Sequence, residues 1–265
     1  MSTPLARKTH TTEPLDENAW HSWHHRRVEQ AFREDAPPAL TGTHWVTATD
    51  PGSAEGFPGA PGQWYRTGDS IIGITLAQPY TTTGTIQLHP GERVDDGRVI
   101  LTAIGRDGDL ALRTLDRNAP ARTGFRTIAV FPPARRWRIS ATFEEEIAVV
   151  STTSADGTVH PAETAGWVHF HVDGREHRLL ATDNGGDLRV VFSDLSVRSG
   201  VHRFRLLDIE RPSSAAAETV VDFNRAFLPP LAFSPHFLCT SPTASNHLEI
   251  NITAGEKWPV FESGK

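Results

Sequence analysis

Beyond residue 34 this sequence offers no stretch with helical periodicity. It offers short β-type runs, one after another, with turn signals between them. The runs fall at 43–48, 70–76, 85–88, 98–104, 110–115, 125–131, 137–143, 147–152, 167–172, 175–181, 188–192, 202–208, 219–223 and 248–252. Connections this short leave no room for the helical crossovers that parallel strands require, so antiparallel pairing is expected to dominate. The expected fold class is mainly β: an antiparallel β-barrel or a two-sheet β-sandwich with an N-terminal α-helix. That helix is placed at about 16–34. Trp20, Trp23, Val28, Ala31 and Phe32 share one face, Asp16 stands at its start, and Ala36-Pro37-Pro38 ends it. Residues 1–13 read as a disordered leader. Residues 14–265 read as one β-rich domain, with a Pro/Gly-rich loop at 50–62 and neither internal repeat nor linker.

Two hairpins can be registered residue by residue. Asp173-Gly174 suits a two-residue type I′ turn, which sets Val172 opposite Arg175, His171 opposite Glu176, Phe170 opposite His177 and His169 opposite Arg178. Asp107-Gly108 likewise sets Arg106 opposite Asp109, Ile104 opposite Ala111 and Thr102 opposite Arg113. Period-two alternation then places Arg106 and Arg113 on one face and Leu101, Ala103, Leu110 and Leu112 on the other.

A formal net charge of -6 argues against a general nucleic-acid binder, which needs a basic surface to displace counterions. Arg135-Arg136-Trp137-Arg138 is read as a strand with solvated arginines. Cys239 is the single cysteine, so no intrachain disulfide can form, and a lone thiol is usually a small buried apolar group. No run approaches a membrane span and the first residues lack a secretory apolar core, so a soluble cytoplasmic protein is expected. Walker A, dinucleotide Gly-rich, Gly-x-Ser-x-Gly and His-Glu-x-x-His motifs are all missing from the sequence. His169 and His171 alternate on one strand face with Glu176 beside them, a partial two-His-one-carboxylate pattern, while His177 faces the other way. His21 and His25 have helical i, i+4 spacing without the accompanying Glu. A polar strand face and a solvated helix account for these histidines, and no metal or cofactor is assigned.

The densest polar cluster is Asp222, Asn224 and Arg225, followed by the apolar, proline-studded run from Ala226 to Pro235. Solvated loops are seldom so apolar. If the strand continues through the cluster, Asp222 and Asn224 share a face. Ionised Asp accepts hydrogen bonds, Asn donates and accepts, and Arg grips carboxylate or phosphate with two parallel bonds. The set is equally suited to orienting a polar ligand and to pinning the loop that follows.

This run, with Cys239, Asn246, Leu248 and Ala254-Gly255-Glu256-Lys257, resembles the signature of the family called domain of unknown function 1684. Gly42-Thr43-His44-Trp45, Arg106 through Arg113 and Asp116, Phe125, Phe131-Pro132, Trp137, Val191 through Asp194 and Arg205-Leu206-Leu207 resemble further family elements, so the likeness spans about residues 18 to 258. The resemblance implies a single β-rich domain. It marks Arg106, Arg113, Asp116, Asp194, Arg205, Asp222, Asn224, Arg225, Asn246, Glu256 and Lys257 as motif positions without giving them roles. Leu231 stands where the family tends to have a second cysteine, and Thr240-Ser241-Pro242-Thr243 departs from its usual proline-rich segment, so a paired-cysteine site cannot operate here.

Two functional readings follow. In the first, the chain is an enzyme acting on a small polar or anionic molecule in a β-barrel pocket. Asp222 or Glu256 is then the general base, with Arg106, Arg113, Asn224, Arg225, Asn246 and Lys257 binding substrate. In the second, it is a non-catalytic small-molecule binding module. The expected partner is a small molecule, with no nucleic acid and no membrane. The sequence does not specify an oligomeric state.

Overall fold

The computed structural model describes residues 14–214 and 216–262, so the leader expected at 1–13 lies outside the described residues. The chain is mainly β, with antiparallel sheets that include a half-barrel, and one N-terminal helix. The helix α1 (Glu17–Phe32) begins where the sequence places it, and the Asp16 carboxylate accepts Ala19 N–H at 2.9 Å. Trp20 and Ala31 are buried as the periodicity predicts, whereas Phe32 is 46% exposed. Among the described residues no helix is long and apolar enough to cross a membrane.

The described residues group into two compact units. One comprises 28–127, 233–237 and 261–262. Its strands are β1 (Leu40–Trp45), β2 (Gln63–Thr67), β3 (Ser70–Ile74), β4 (Thr85–Leu88), β5 (Arg93–Asp95), β6 (Val99–Arg106) and β7 (Asp109–Asp116). They form two antiparallel sheets, ordered β1-β7-β6-β5 and β2-β3-β4. The β6–β7 turn holds Asp107 at φ 53° and Gly108 at φ 87°, the two left-handed residues that a type I′ turn requires. Its register is the expected one, Arg106 opposite Asp109 and Thr102 opposite Arg113. Leu101, Ala103, Leu110 and Leu112 accordingly enter the core of this unit beside Trp64 and Ile71. The short helix α2 (Pro120–Gly124) and strand β8 (Phe125–Val130) follow in the chain.

The other unit comprises 14–27, 128–232 apart from Ala215, and 238–260. Its strands are β9 (Arg138–Glu145), β10 (Val149–Thr153), β11 (Val159–Glu163), β12 (Gly166–Val172), β13 (Arg175–Asn184), β14 (Asp187–Asp194), β15 (Arg205–Ile209), β16 (Ala216–Asp222) and β17 (His247–Leu248). The main sheet runs β15-β14-β13-β12-β9-β16, and β17 joins β14 in parallel. Thr219 Oγ1 of β16 donates to Glu210 O, just beyond β15, at 2.8 Å, so the two edge strands curl together into the half-barrel. The Asp173-Gly174 turn has φ 50° and 77°, and all four cross-strand pairs follow the expected register. Phe223 lies at the centre of the core, with ring centroids 6.0 Å from Trp137, 5.6 Å from Phe170 and 5.4 Å from Phe192, each in an edge-to-face arrangement. β10 and β11 form a separate two-stranded ribbon, and β18 (Glu256–Phe261) pairs with β8.

The run 248–252 is not the strand expected. The ladder stops at Leu248, and Ile252 N–H is bonded to the Asp194 side chain at 3.1 Å instead. Its apolar residues reflect burial of an irregular segment.

Candidate functional site

β16 ends at Asp222 and the chain turns into a single 3-10 turn at Phe223–Arg225, so strand alternation does not govern the polar cluster. Asp222 Oδ1 accepts Asn224 N–H at 3.2 Å and the Asn224 amide at 2.9 Å, while Oδ2 faces Arg138 at 3.3 Å. Asn224 is fully buried. Its Oδ1 accepts Ala134 N–H at 2.8 Å, its Nδ2 also donates to Ala134 O at 3.1 Å, and its backbone carbonyl accepts the Trp20 indole N–H at 2.8 Å. A side-chain amide thereby pairs both backbone groups of a residue remote in sequence, in the manner of a strand neighbour. Arg225 is 44% exposed, 3.8 Å from Asp222.

The other C-terminal motif residues behave alike. Glu256 is fully buried, takes two hydrogen bonds from Arg27 at 2.9 and 3.1 Å, and accepts Leu228 N–H at 2.7 Å. Beside it His24 stacks on Trp20, and burial pushes its pKa below the ordinary imidazole range, with the Glu256 charge opposing. Asn246 Oδ1 accepts Leu180 N–H at 2.7 Å, and its Nδ2 donates to Leu180 O and Val191 O, each at 2.9 Å. The direct β13–β14 ladder stops at Thr182 and Arg189, so Asn246 fills the place where these strands part. Arg205 and Asp194 form a buried ion pair at 2.6 Å. The Lys257 ammonium lies 5.0 Å from the Phe131 ring centre and 4.4 Å from that of Trp258. Arg106 and Arg113 belong to the other compact unit, Arg106 over Trp45 at 4.7 Å and Arg113 over Phe237 at 5.2 Å.

The histidine face of β12 holds His169 between Glu144 at 3.1 Å and Glu176 at 3.4 Å. Among the described residues no group of three His, Cys, Asp or Glu is placed to hold a metal ion.

A cleft of about 580 Å³ opens at the end of the half-barrel where β9 begins, β12 turns into β13 and β14 ends. Trp137, Ile139, Val172, Leu195 and Ile250 give it an apolar floor. Arg136, His171, Asp173, Glu249 and Asn251 stand on its rim. Thr253 Oγ1 accepts from Arg136 at 2.7 Å and from the Trp137 indole at 3.2 Å, which fixes the guanidinium beside the aromatic floor. None of Asp222, Asn224, Arg225, Asn246, Glu256 and Lys257 lines this cleft.

A family model described as a protein of unknown function (DUF1684) matches residues 123–257. The chain belongs to this family. No curated protein matches the sequence. The solution NMR structure of an uncharacterized protein of Haloarcula marismortui is 28% identical, covering 50% of this chain and 77% of its own, with a TM-score of 0.41. The DUF1684 match holds the whole half-barrel sheet and all the residues that line the cleft, from Arg136 to Thr253. The upstream likeness at 42–45 and 106–116 falls outside the matched residues. Within the match, sequence reasoning singled out the buried DUF1684 motif residues and set Arg136 aside as solvated. The Arg-Arg-Trp-Arg run at a strand start was the available signal for the cleft, while Glu249 and Asn251 carried none.

Proposed function

We propose that this DUF1684 protein is a small-molecule binding module whose ligand has an apolar body and a polar head, seated in the cleft at the end of the half-barrel. The observation that carries this reading is the cleft's construction: an apolar floor with a few convergent polar groups, in the size range of about 300–1,000 Å³ usual for small-molecule sites. Trp137 and Ile139 would cover the apolar body, and Arg136, oriented by Thr253, would take an anionic or carbonyl oxygen. Asp173 and Glu249 would accept from donors on the same ligand. A non-catalytic role is favoured over an enzymatic one because Asp222 and Glu256, the general-base candidates, are engaged by Arg138, Asn224, Arg27 and Leu228 away from the cleft.

The test is ligand-observed NMR with a panel of aromatic and aliphatic carboxylates, alcohols and amines. A binder of the native chain is expected to lose at least tenfold in affinity with Ser140→Trp, which fills the cleft, and to weaken with Arg136→Ala. The reading fails if no panel member distinguishes Ser140→Trp from the native chain. Conversion of a cleft-bound ligand into product would restore the enzymatic reading.

A further inference from the structure

A second cavity lies on the opposite side of the half-barrel wall from the core. Along β13 and β14 the residues Leu179, Ala181, Leu188, Val190 and Phe192 point into the core, so their alternates Leu180, Thr182, Arg189 and Val191 face outward. The β10–β11 ribbon faces these alternates with Val150, Thr152 and Ala162 across a cavity of about 290 Å³. The ribbon is tied down at both ends. Ala165 N–H, just past β11, donates to Ala181 O of β13 at 2.7 Å, and Ser241 N–H donates to Thr153 O of β10 at 2.8 Å.

Apart from Thr240 and Ser241 at its edge, the polar side chains of this cavity are turned to the protein itself. Thr152 Oγ1 donates to His160 O at 3.1 Å, Thr164 Oγ1 to Glu146 O at 2.9 Å, and Thr182 Oγ1 to Arg189 O at 3.3 Å. The Asn246 amide is bonded to Leu180 and Val191, and the Arg189 guanidinium to Asp208 through two bonds at 2.7 and 2.8 Å. What these residues present to the cavity is methyl and methylene surface. Water there would find few of the two to four partners that hold a buried molecule, and a charged ligand would have no free counter-charge.

We propose that this cavity binds a neutral, largely apolar small molecule, separately from the cleft that takes the polar ligand. A cavity of roughly 150 Å³ lined by aliphatic groups takes up benzene; this one has about twice that volume, which suits a bicyclic aromatic or a short acyl chain. Thr240 and Ser241 supply hydroxyls toward which one uncharged polar end of such a molecule would turn.

The probe is N-phenyl-1-naphthylamine, whose fluorescence rises in apolar surroundings. The full chain is expected to enhance it saturably. Ala162→Phe, which places a ring in the cavity, is expected to weaken binding at least tenfold. Val159→Thr, on the exposed part of the same ribbon, is expected to leave it unchanged. Intermolecular nuclear Overhauser contacts on the native chain keep the proposal decidable should Ala162→Phe not fold. Contacts to the methyls of Val150, Leu180 and Val191 support it. Contacts to Val172 and Ile250 of the other cleft, or no saturable enhancement, overturn it. So does loss of binding with Val159→Thr while a folded Ala162→Phe still binds.

Discussion

Arg205 is a guanidinium taken out of water, 1% exposed, with Phe192 5.3 Å from its centre. Its bonds show what it is for. Beyond the Asp194 carboxylate it donates to the carbonyls of Ala254 and of Ile252, tying β15 to the irregular C-terminal segment. Asp194 in turn caps the 3-10 turn at Leu195–Ser199 by accepting Ser196 N–H and also accepts Ile252 N–H. Arg205→Met would leave the Asp194 charge buried without its counter-ion, and the carbonyls without donors. The expected cost is about 3–5 kcal/mol of unfolding free energy, read from urea denaturation. Asn224, Asn246 and Glu256 follow the same logic with different partners, each bonding to backbone groups that have no strand beside them. That is why the Asp222 cluster was legible as something buried, while its role was not. The partners, Ala134 for Asn224 and Leu180 for Asn246, are remote along the chain, and no local pattern points to them.

At the scale of elements, turn chemistry was the strongest local signal. Both Asp-Gly hairpins were readable to the residue because a type I′ turn fixes register without help from the rest of the fold. The strands that periodicity missed, β2, β5, β11 and β18, stand at a sheet edge or in a two-stranded sheet, where several side chains meet solvent and the apolar alternation fades. Glycines separate the two kinds of constraint. Gly108 has φ 87° with no atom within 4 Å of where a Cβ would stand, so Gly108→Ala meets backbone strain alone, about 1–2 kcal/mol. Gly255 has φ 76°, and a Cβ there would lie 2.5 Å from Ala226 O and 2.8 Å from Phe223 O. Gly255→Ala is therefore expected to cost clearly more, about 3–5 kcal/mol, since strain and overlap with a backbone that cannot easily yield act together. Parallel denaturant titrations of the two variants check the order. A Gly108→Ala loss equal to that of Gly255→Ala would show that contact with the 223–226 turn is not what requires the glycine.

For the molecule as a whole, the balance of buried titratable groups sets its response to acid. Burial lowers the pKa of His24, His44, His177 and His202 below the ordinary 6.5, so the folded chain keeps them neutral where the unfolded chain protonates them. Their contribution is fully present above about 6.5 and is lost as pH falls below it through the folded values. Asp95, held down to about 2 by its hydrogen bonds from Arg117, and Asp116, lowered by Arg98, act in the same direction at more acid pH. The thermal midpoint followed by circular dichroism is expected to drop between pH 7.5 and pH 5.5. His24→Phe, which keeps a ring against Trp20, is expected to make that drop smaller. A midpoint that rises toward pH 5.5 would contradict the sign. The fold class, helix and hairpins were legible because short-range chemistry dictates them. The cleft was not, since its floor and rim come from four places in the chain that meet at one end of the half-barrel.

Asn246 standing in for a strand has one more consequence. The N–H of Leu180 sits in the middle of β13, where amide hydrogen exchange ordinarily reports on opening of the sheet. Here its acceptor belongs to the segment after residue 239, so its proton becomes exchangeable whenever that segment lifts, with the β12–β13 ladder and the β13–β14 ladder beyond Thr182 intact. A single amide in the wall of the half-barrel is thus a clock for the docking of the C-terminal segment.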